Sequence, residues 1–248
     1  MTSMRCFALA GLLALAAVFA GRVEAEVTIT GTRVIYPAAS KEVTVQLTNH
    51  ANVSALVQIW LDDGNMDAPP DQIKVPFNVS PPIVRMEPHK GQAVRVAYTK
   101  TPLPADRESL FWFNVLEIPP KAGPEAGENL MQFAVRTRIK LIFRPSNLSA
   151  TQALEAPEQL QWTLRAGENG KPPVLRVTNP TSYYVNFASV GAKTGDKEIT
   201  GKGGFVAPNG TAEFPLKELA GQGGAMQVVF KSISDLGVVI PYTKPLSP

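Results

Sequence analysis

The segment Leu130–Pro145, LMQFAVRTRIKLIFRP, carries the clearest structural pattern in the chain. Its odd positions from 131 to 143 are apolar except for Thr137, and its even positions from 136 to 144 are basic except for Ile142. This alternation is typical of a β-strand with one apolar and one polar face. At about 3.3 Å per residue the segment would extend over roughly 50 Å, which is longer than most strands. Because a long apolar edge promotes aggregation, such a strand either lies in a core or pairs with another chain.

The rest of the chain predicts an all-β fold. Short runs rich in β-branched and aromatic residues alternate with turns of Pro, Gly, Asp and Asn, and long helical periodicity is absent. About seven such runs between Glu26 and Pro145 indicate an immunoglobulin-like sandwich. Trp60 or Trp112 is the expected central aromatic residue of its core.

A second, smaller β-sandwich is predicted after the first. Strand-like runs between residues 146 and 248 are shorter and more often interrupted by Gly and Pro. We therefore expect domains at 26–145 and 146–248. The join at Arg144–Asn147 is short and contains a proline, which favours a fixed angle between the domains.

Residues 1–25 are typical of a secretory signal peptide. Arg5 precedes the apolar run Phe7–Ala20, and Val23-Glu24-Ala25 places small residues at positions −3 and −1 of a cleavage site after Ala25. The run is shorter than the roughly 20 residues that a membrane-spanning helix needs. We therefore expect an exported protein that is not inserted into a membrane.

The composition argues against several classes of protein. The single cysteine, Cys6, lies in the predicted signal, so the exported chain would have no disulfide, thiolate-bound metal or thiol nucleophile. The net charge is +3, and +2 once Arg5, Arg22 and Glu24 are removed with the signal. That charge is too small to indicate a general nucleic-acid-binding protein.

Residues that could support catalysis or bind a metal are scarce. His50 and His89 both lie in predicted turns, and no Gly-x-Ser-x-Gly motif occurs. Asp63–Asp67 has the first spacings of a calcium-binding loop, but Lys74 occupies the position of its closing glutamate. A hairpin turn is the better interpretation. We predict neither an enzyme nor a metal or other cofactor site.

Two groups of charged residues leave alternatives open. Arg33 and Lys140 lie in strand-like runs, where each could occupy a solvated rim of a sheet. If they lie near one another, they could instead bind a carboxylate through charge-assisted hydrogen bonds worth about 1.5–3 kcal/mol each. Glu108, Arg144 and Asp235 could form an ion-pair network between the domains, but their spacing alone does not decide this.

The segment Leu103–Pro119, LPADRESLFWFNVLEIP, resembles the signature of the periplasmic pilus chaperones at all 17 positions. These proteins form the PapD-like family of the chaperone–usher pathway. Gly31–Pro37 is similar to the first strand of that family, and Arg138–Pro145 to the last strand of its first domain. Asn78–Pro82 and Arg85–Pro88 also fit. The resemblance extends over essentially the whole exported chain and is weaker in the second domain.

This resemblance implies an architecture and a function. The family has two immunoglobulin-like β-sandwich domains in an L-shaped arrangement. Its members bind, fold and cap fimbrial (pilus) subunits in the periplasm and deliver them to an outer-membrane usher, without ATP or a cofactor. Capping occurs by donor-strand complementation, an established mode of β-strand addition in which the chaperone supplies the strand that the subunit lacks.

Two other functions are weaker alternatives. A secreted two-domain immunoglobulin-like adhesin or carbohydrate-binding module explains the sandwiches, but it gives no reason for paired Arg33 and Lys140 or for the long apolar strand. A secreted hydrolase lacks a recognisable nucleophile–base pair.

The resemblance also implies which residues contact a subunit. Arg33 and Lys140 match the cations that bind the C-terminal carboxylate of the subunit. The apolar residues that match those entering its groove are Met131, Phe133 and Val135. However, Lys140 has even parity and the apolar row has odd parity. In a regular strand they point to opposite faces, unless twist or a bulge intervenes.

Further features follow from the same resemblance. Glu108, Arg144 and Asp235 match the interdomain salt bridge of the family. The short segment between Ile118 and Asn129 matches the subclass that serves rod-forming pili. The sequence does not show which subunits and usher are bound, or whether the free protein associates weakly with itself.

Overall fold

A computed structural model of the chain describes most of the two expected domains. The described residues are 27–118, 133–165, 172–195, 197–216 and 226–246. The predicted signal peptide, the predicted short segment after Ile118, and Met131 lie outside them. Within these ranges the chain is almost entirely β-structure, with one short α-helix.

The first domain consists of two sheets that enclose one apolar core. Its strands are β1 (Val27–Ile29), β2 (Arg33–Pro37), β3 (Glu42–Asn49), β4 (Ala55–Asp62), β5 (Phe77–Ser80), β6 (Ile83–Met86), β7 (Gly91–Tyr98), β8 (Ser109–Ile118) and β9 (Val135–Arg144). One sheet has the order β1-β3-β7-β5 and the other the order β2-β9-β8-β4-β6. Neighbouring strands are antiparallel except for β2 and β9, which are parallel.

The chain changes sheets inside the strand-like run Val27–Tyr36, the first of the runs after Glu26. β1 pairs with β3 in one sheet, whereas β2 pairs with β9 in the other. At the crossing, Gly31 has a φ of 94°, a conformation that favours glycine. The fully buried positions change from odd parity at Val27 to even parity at Tyr36. A single strand-like run of the sequence therefore forms two strands.

The centre of the first core is built from phenyl and phenol rings. Ring centroids lie 4.9–6.1 Å apart among Tyr36, Phe77, Phe111 and Phe143. The expectation that Trp60 or Trp112 is the central aromatic residue is wrong, because both are only half-buried. Each tryptophan lies between two buried residues of its strand, so alternation directs its side chain to the opposite face.

The second domain opens with a helix that the sequence analysis did not predict. α1 (Ala150–Glu155) is followed by a 3₁₀ turn at Ala156–Gln159. Ser149 and Gln152 form a capping box at the start of α1. This Ser-x-x-Gln pattern is the sequence signal that could have identified the helix.

Two further sheets complete the second domain and confirm the prediction of two β-sandwich domains. The strands are β10 (Gln161–Arg165), β11 (Val174–Thr178), β12 (Val185–Thr194), β13 (Lys197–Thr200), β14 (Gly204–Val206), β15 (Thr211–Pro215), β16 (Met226–Ile233) and β17 (Val239–Pro245). Their orders are β10-β11-β15 and β13-β12-β16-β17, with β14 also paired to β12. Trp162 lies in this core beside Phe187 and Phe230.

β9 is the strand predicted from the Leu130–Pro145 pattern, but in the described residues it begins only at Val135. β8 pairs with it without interruption from Val135 to Phe143. β2 pairs only with Lys140–Arg144. Among the described residues, no strand pairs with the other edge of 135–139, which we call the open half of β9.

Candidate functional site

Arg33 and Lys140 are direct cross-strand neighbours. The parallel register of β2 and β9 places Arg33 opposite Lys140. Nη1 of Arg33 donates a hydrogen bond of 2.9 Å to the carbonyl oxygen of Ile233, which lies in the second domain. Nε of Arg33 is buried and has no hydrogen-bond partner among the described residues. The structure therefore brings the two predicted cations together where the domains meet.

Lys140 contacts the second domain through one polar and one aromatic side chain. Its Nζ donates to Oδ1 of Asn186 and lies 4.3 Å from the ring centroid of Phe205. Asn186 and Phe205 are paired residues of β12 and β14. Sequence reasoning missed both, because neither an isolated asparagine nor an isolated phenylalanine gives a local signal of such a contact.

Within the described parts of the chain, neither cation has an acidic partner. Burial, and to a lesser degree the charge of Arg33, lowers the pKa of Lys140 to about 8. Burial also lowers the pKa of Arg33, although the charge of Asp235 opposes this shift. No carboxylate of the described residues lies within 4.0 Å of either charged group. An added carboxylate would therefore be stabilised by both cations.

Glu108, Arg144 and Asp235 form one network across the domain boundary. Nε of Arg144 donates to Oε1 of Glu108 at 2.7 Å, and its Nη1 and Nη2 donate to the two oxygens of Asp235 at 2.7 and 3.1 Å. The second oxygen of Glu108 accepts a 2.7 Å bond from the backbone amide of Tyr184. Glu108 directly precedes β8, whereas Asp235 lies in the turn between β16 and β17. The guanidinium group of Arg144, at the end of β9, thus binds one carboxylate from each domain.

Burial and pairing act against each other in this network. Burial raises the pKa of the Glu108 carboxyl, and the charge of Arg144 and the Tyr184 amide oppose the shift. Burial acts to lower the pKa of Arg144, but its contacts with Asp235 and Glu108 outweigh this effect and raise it. Because Glu108 is buried, its charge depends on Arg144 for compensation.

The predicted apolar row is only partly within the described residues. Phe133 has 67% of its surface exposed, and Val135 is half-buried. Val135 has the same parity as Leu141 and Phe143, which contribute to the first core. Because the register contains no bulge, Val135 and Lys140 lie on opposite faces of the sheet.

Neither a membrane-spanning helix nor a metal-binding cluster is found in the described part of the chain. None of its helices is long and apolar enough to cross a bilayer. No group of three His, Cys, Asp or Glu side chains is arranged to hold a metal ion there.

Comparison with known proteins places both domains in one family. Residues 26–149 match the family described as "Pili and flagellar-assembly chaperone, PapD N-terminal domain". Residues 155–244 match "Pili assembly chaperone PapD, C-terminal domain". The fold and the order of the domains are those of a two-domain pilus-assembly chaperone. The chain belongs to the PapD-like family, which confirms the resemblance found in the sequence.

Individual relatives resemble the chain over nearly its whole length. The chaperone protein FimB/FhaD of Bordetella pertussis is 42% identical over 233 residues, which cover 92% of this chain and 91% of that protein. The probable fimbrial chaperone YadV of Escherichia coli is 45% identical over 224 residues, covering 87% and 88%. A structure of the Salmonella enterica SafA pilin in complex with the SafB chaperone matches with 30% identity and a TM-score of 0.72, covering 92% of this chain and 99% of the matched chain.

Proposed function

We propose that this protein binds, folds and caps pilus subunits in the periplasm through the open half of β9, and delivers them to an outer-membrane usher. The observation that carries the proposal is the unequal pairing of β9. β2 pairs with Lys140–Arg144 and leaves 135–139 without a second partner among the described residues. Membership in a family of pilus-assembly chaperones supports the proposal, as does the similarity to a chaperone in complex with a pilin.

Strand addition meets two needs of an incomplete subunit at once. A subunit that lacks one strand exposes an apolar groove and unpaired backbone groups. The free edge of 135–139 supplies hydrogen-bonding groups for the backbone. Phe133 and Val135, together with Met131 outside the described residues, supply apolar side chains for the groove. Binding then requires no nucleotide, since the strand of another subunit can replace β9.

Arg33 and Lys140 would bind the C-terminal carboxylate of the subunit. They lie at the point where β2 begins, at the inner end of the open half of β9. A subunit strand that ends there and extends back along the open half would run parallel to β9, as β2 does. The subunit strand and β2 would then follow one another along the same edge.

This arrangement removes the conflict between the two faces of β9. A terminal carboxylate belongs to the backbone and lies at the edge of the sheet, so Lys140 can reach it from one face. The odd-numbered side chains, including Val135, can enter the subunit groove from the other face. The proposal therefore requires neither a bulge nor a change of register.

Periplasmic location and the absence of a catalytic role are parts of the same proposal. The predicted signal peptide in residues 1–25 would direct export, and the family is one of assembly chaperones. No catalytic step is needed, because the subunit is stabilised by pairing alone.

Co-purification with a subunit tests the proposal. A tagged fimbrial subunit is co-expressed with wild type, Arg33→Ala, Lys140→Ala or Phe133→Glu, and the complex is recovered from the periplasm. We expect each variant to reduce recovery by about tenfold or more, since a charge-assisted hydrogen bond or a buried apolar contact is lost. Arg95→Ala, at an exposed position of β7 in the other sheet, is the matched control.

The variants separate the two parts of the proposal. Undiminished recovery by folded Arg33→Ala and Lys140→Ala would overturn the carboxylate site. Wild-type recovery by Phe133→Glu would overturn strand donation. Circular dichroism of each purified chaperone shows whether it is folded.

A further inference from the structure

Two basic side chains on the outward face of the open half of β9, those of Arg136 and Arg138, donate hydrogen bonds to one buried carboxylate. Asp62 is the last residue of β4, and its side chain has no exposed surface. Arg138 donates to both oxygens of Asp62, from Nη2 to Oδ1 and, at 3.2 Å, from Nε to Oδ2. Arg136 donates from Nη2 to Oδ2 at 3.3 Å. The polar face predicted from the sequence thus covers an ion cluster instead of facing only water.

Asn114 of β8 connects the members of this cluster. Its Nδ2 donates to Oδ2 of Asp62 at 2.8 Å, and its Oδ1 accepts bonds of 3.0 and 2.8 Å from Nε and Nη2 of Arg136. Asp62, Asn114 and the two arginines belong to β4, β8 and β9, which are neighbours in the sheet. The cluster therefore ties three strands together at one point.

The guanidinium groups of both arginines lie over tryptophan rings. The guanidinium carbon of Arg138 lies 4.1 Å from the ring centroid of Trp112, and that of Arg136 lies 4.8 Å from that of Trp60. Stacking on an aromatic face restricts the orientation of a guanidinium group. This explains why both tryptophans are absent from the core.

The cluster lies on the part of β9 that lacks a second partner strand among the described residues. Arg136 and Arg138 lie in the open half, which pairs with β8 alone among the described strands, whereas β2 pairs with Lys140–Arg144. A strand paired on one edge only opens more easily than one paired on both. We propose that Asp62 is a positioning residue, which holds the open half of β9 extended on β8 and leaves its outer edge free for a subunit. The part of this inference that concerns the subunit rests on the proposed function. The part that concerns the ordering of β9 does not.

The chemistry of Asp62 agrees with this role. Burial acts to raise the pKa of its carboxyl group, but hydrogen bonds from Arg138, Asn114 and the amide of Gly64 outweigh burial and lower it. The carboxylate is therefore charged at neutral pH. Without that charge, Arg136 and Arg138 would lie side by side without a common anion.

Hydrogen exchange of Asp62→Asn tests the positioning role directly. We expect the β9 amides that bond to β8 to exchange at least tenfold faster than in wild type, relative to those of β11 in the second domain. Recovery of the subunit complex should fall severalfold. Val94→Ala is the matched control, because Val94 is fully buried on β7 in the opposite sheet and its truncation lowers stability without touching the cluster.

Three results would overturn the inference. The first is β9 exchange that rises no more in Asp62→Asn than in Val94→Ala. The second is wild-type recovery of the complex despite faster β9 exchange. The third applies if Asp62→Asn does not fold. Arg136→Gln, which retains the Arg138–Asp62 pair, should then speed β9 exchange by less than tenfold. Unchanged β9 exchange in Arg136→Gln would refute the positioning role of Asp62.

The exchange measurement distinguishes failure of this inference from failure of the proposed function. It needs no subunit. If Phe133→Glu captures subunits as well as wild type, strand donation fails, while exchange in Asp62→Asn still decides whether Asp62 orders β9.

Discussion

The two halves of β9 differ in what lies along their edges. From Lys140 to Phe143 the strand is paired with both β2 and β8, Arg144 is paired with β2, and the last four residues are all buried. From 135 to 139 it is paired with β8 alone among the described strands, and all of these residues are half-buried. One strand can thus belong to the protein's own core at one end and present a pairing edge at the other. Arg144 and its two carboxylates stabilise the paired end, and Asp62 with its two arginines contacts the open half.

Removing Arg144 should have the largest effect on stability, because its ion pairs fix the end of the paired half of β9. Arg144→Ala leaves Glu108 buried without its cation, and we expect the free energy of unfolding to fall by about 3–5 kcal/mol. Urea unfolding followed by circular dichroism measures the loss. Arg95→Ala is the control and should change stability by no more than about 0.5 kcal/mol. An Arg144→Ala variant as stable as this control would show that the network adds nothing to the fold.

Truncating one apolar residue in the paired half of β9 and one just before its open half should separate stability from capture. Leu141 is fully buried, so Leu141→Ala should lower the free energy of unfolding by about 2–5 kcal/mol. Phe133 is mostly exposed, so Phe133→Ala should lower it by no more than about 0.5 kcal/mol while still reducing recovery of the subunit complex. Thermal denaturation and co-purification provide the two measurements. Equal effects of the two variants on both would contradict the division of β9.

The smallest expected effect is a pH dependence at the boundary between the halves. The pKa of Lys140 is about 8 in the free protein, and a bound carboxylate would raise it. Below pH 8 the lysine is already charged, so affinity should be constant. Above pH 8 binding requires uptake of a proton, so affinity should fall by up to about tenfold per pH unit.

The arginine variant provides the control for this titration. Lys140→Arg keeps its charge throughout the range, so its affinity for the subunit should not change between pH 7 and pH 9. Titration calorimetry with a peptide that reproduces the subunit's C-terminal strand measures both proteins. A wild-type affinity that is equally flat would show that Lys140 does not bind the carboxylate.

Much of the fold could be predicted from the sequence because each sheet has one buried face. The odd-numbered apolar positions of β9 predicted its core face, and turn residues separated most strands. The pattern did not show the crossing at Gly31, since apolar residues occur on both sides of it. It also suggested Trp60 or Trp112 as the central aromatic residue of the core, because aromatic content alone does not reveal the face to which a side chain points.

The candidate site depended on information beyond local pattern. Arg33 and Lys140, like Arg144 and its two carboxylates, come from distant segments, and the family resemblance grouped them before the structure did. Asp62 directly precedes the predicted hairpin turn at Asp63–Asp67, and its partners lie on other strands. Contacts made across a sheet leave no trace in the spacing of residues along one strand, so Asp62 and Asn186 could be found only in the structure.

The crossing at Gly31 also sets a dimension of the molecule. β2 cannot begin before Arg33, because the chain up to Ile29 belongs to the other sheet, and its ladder with β9 therefore stops at Lys140. The five residues of the open half give a free edge of about 16 Å. A crossing two residues earlier would pair residues 31 and 32 with 138 and 139, and would shorten that edge to about 10 Å. The place of this crossing thus sets the inner end of the edge on which an incoming strand can pair.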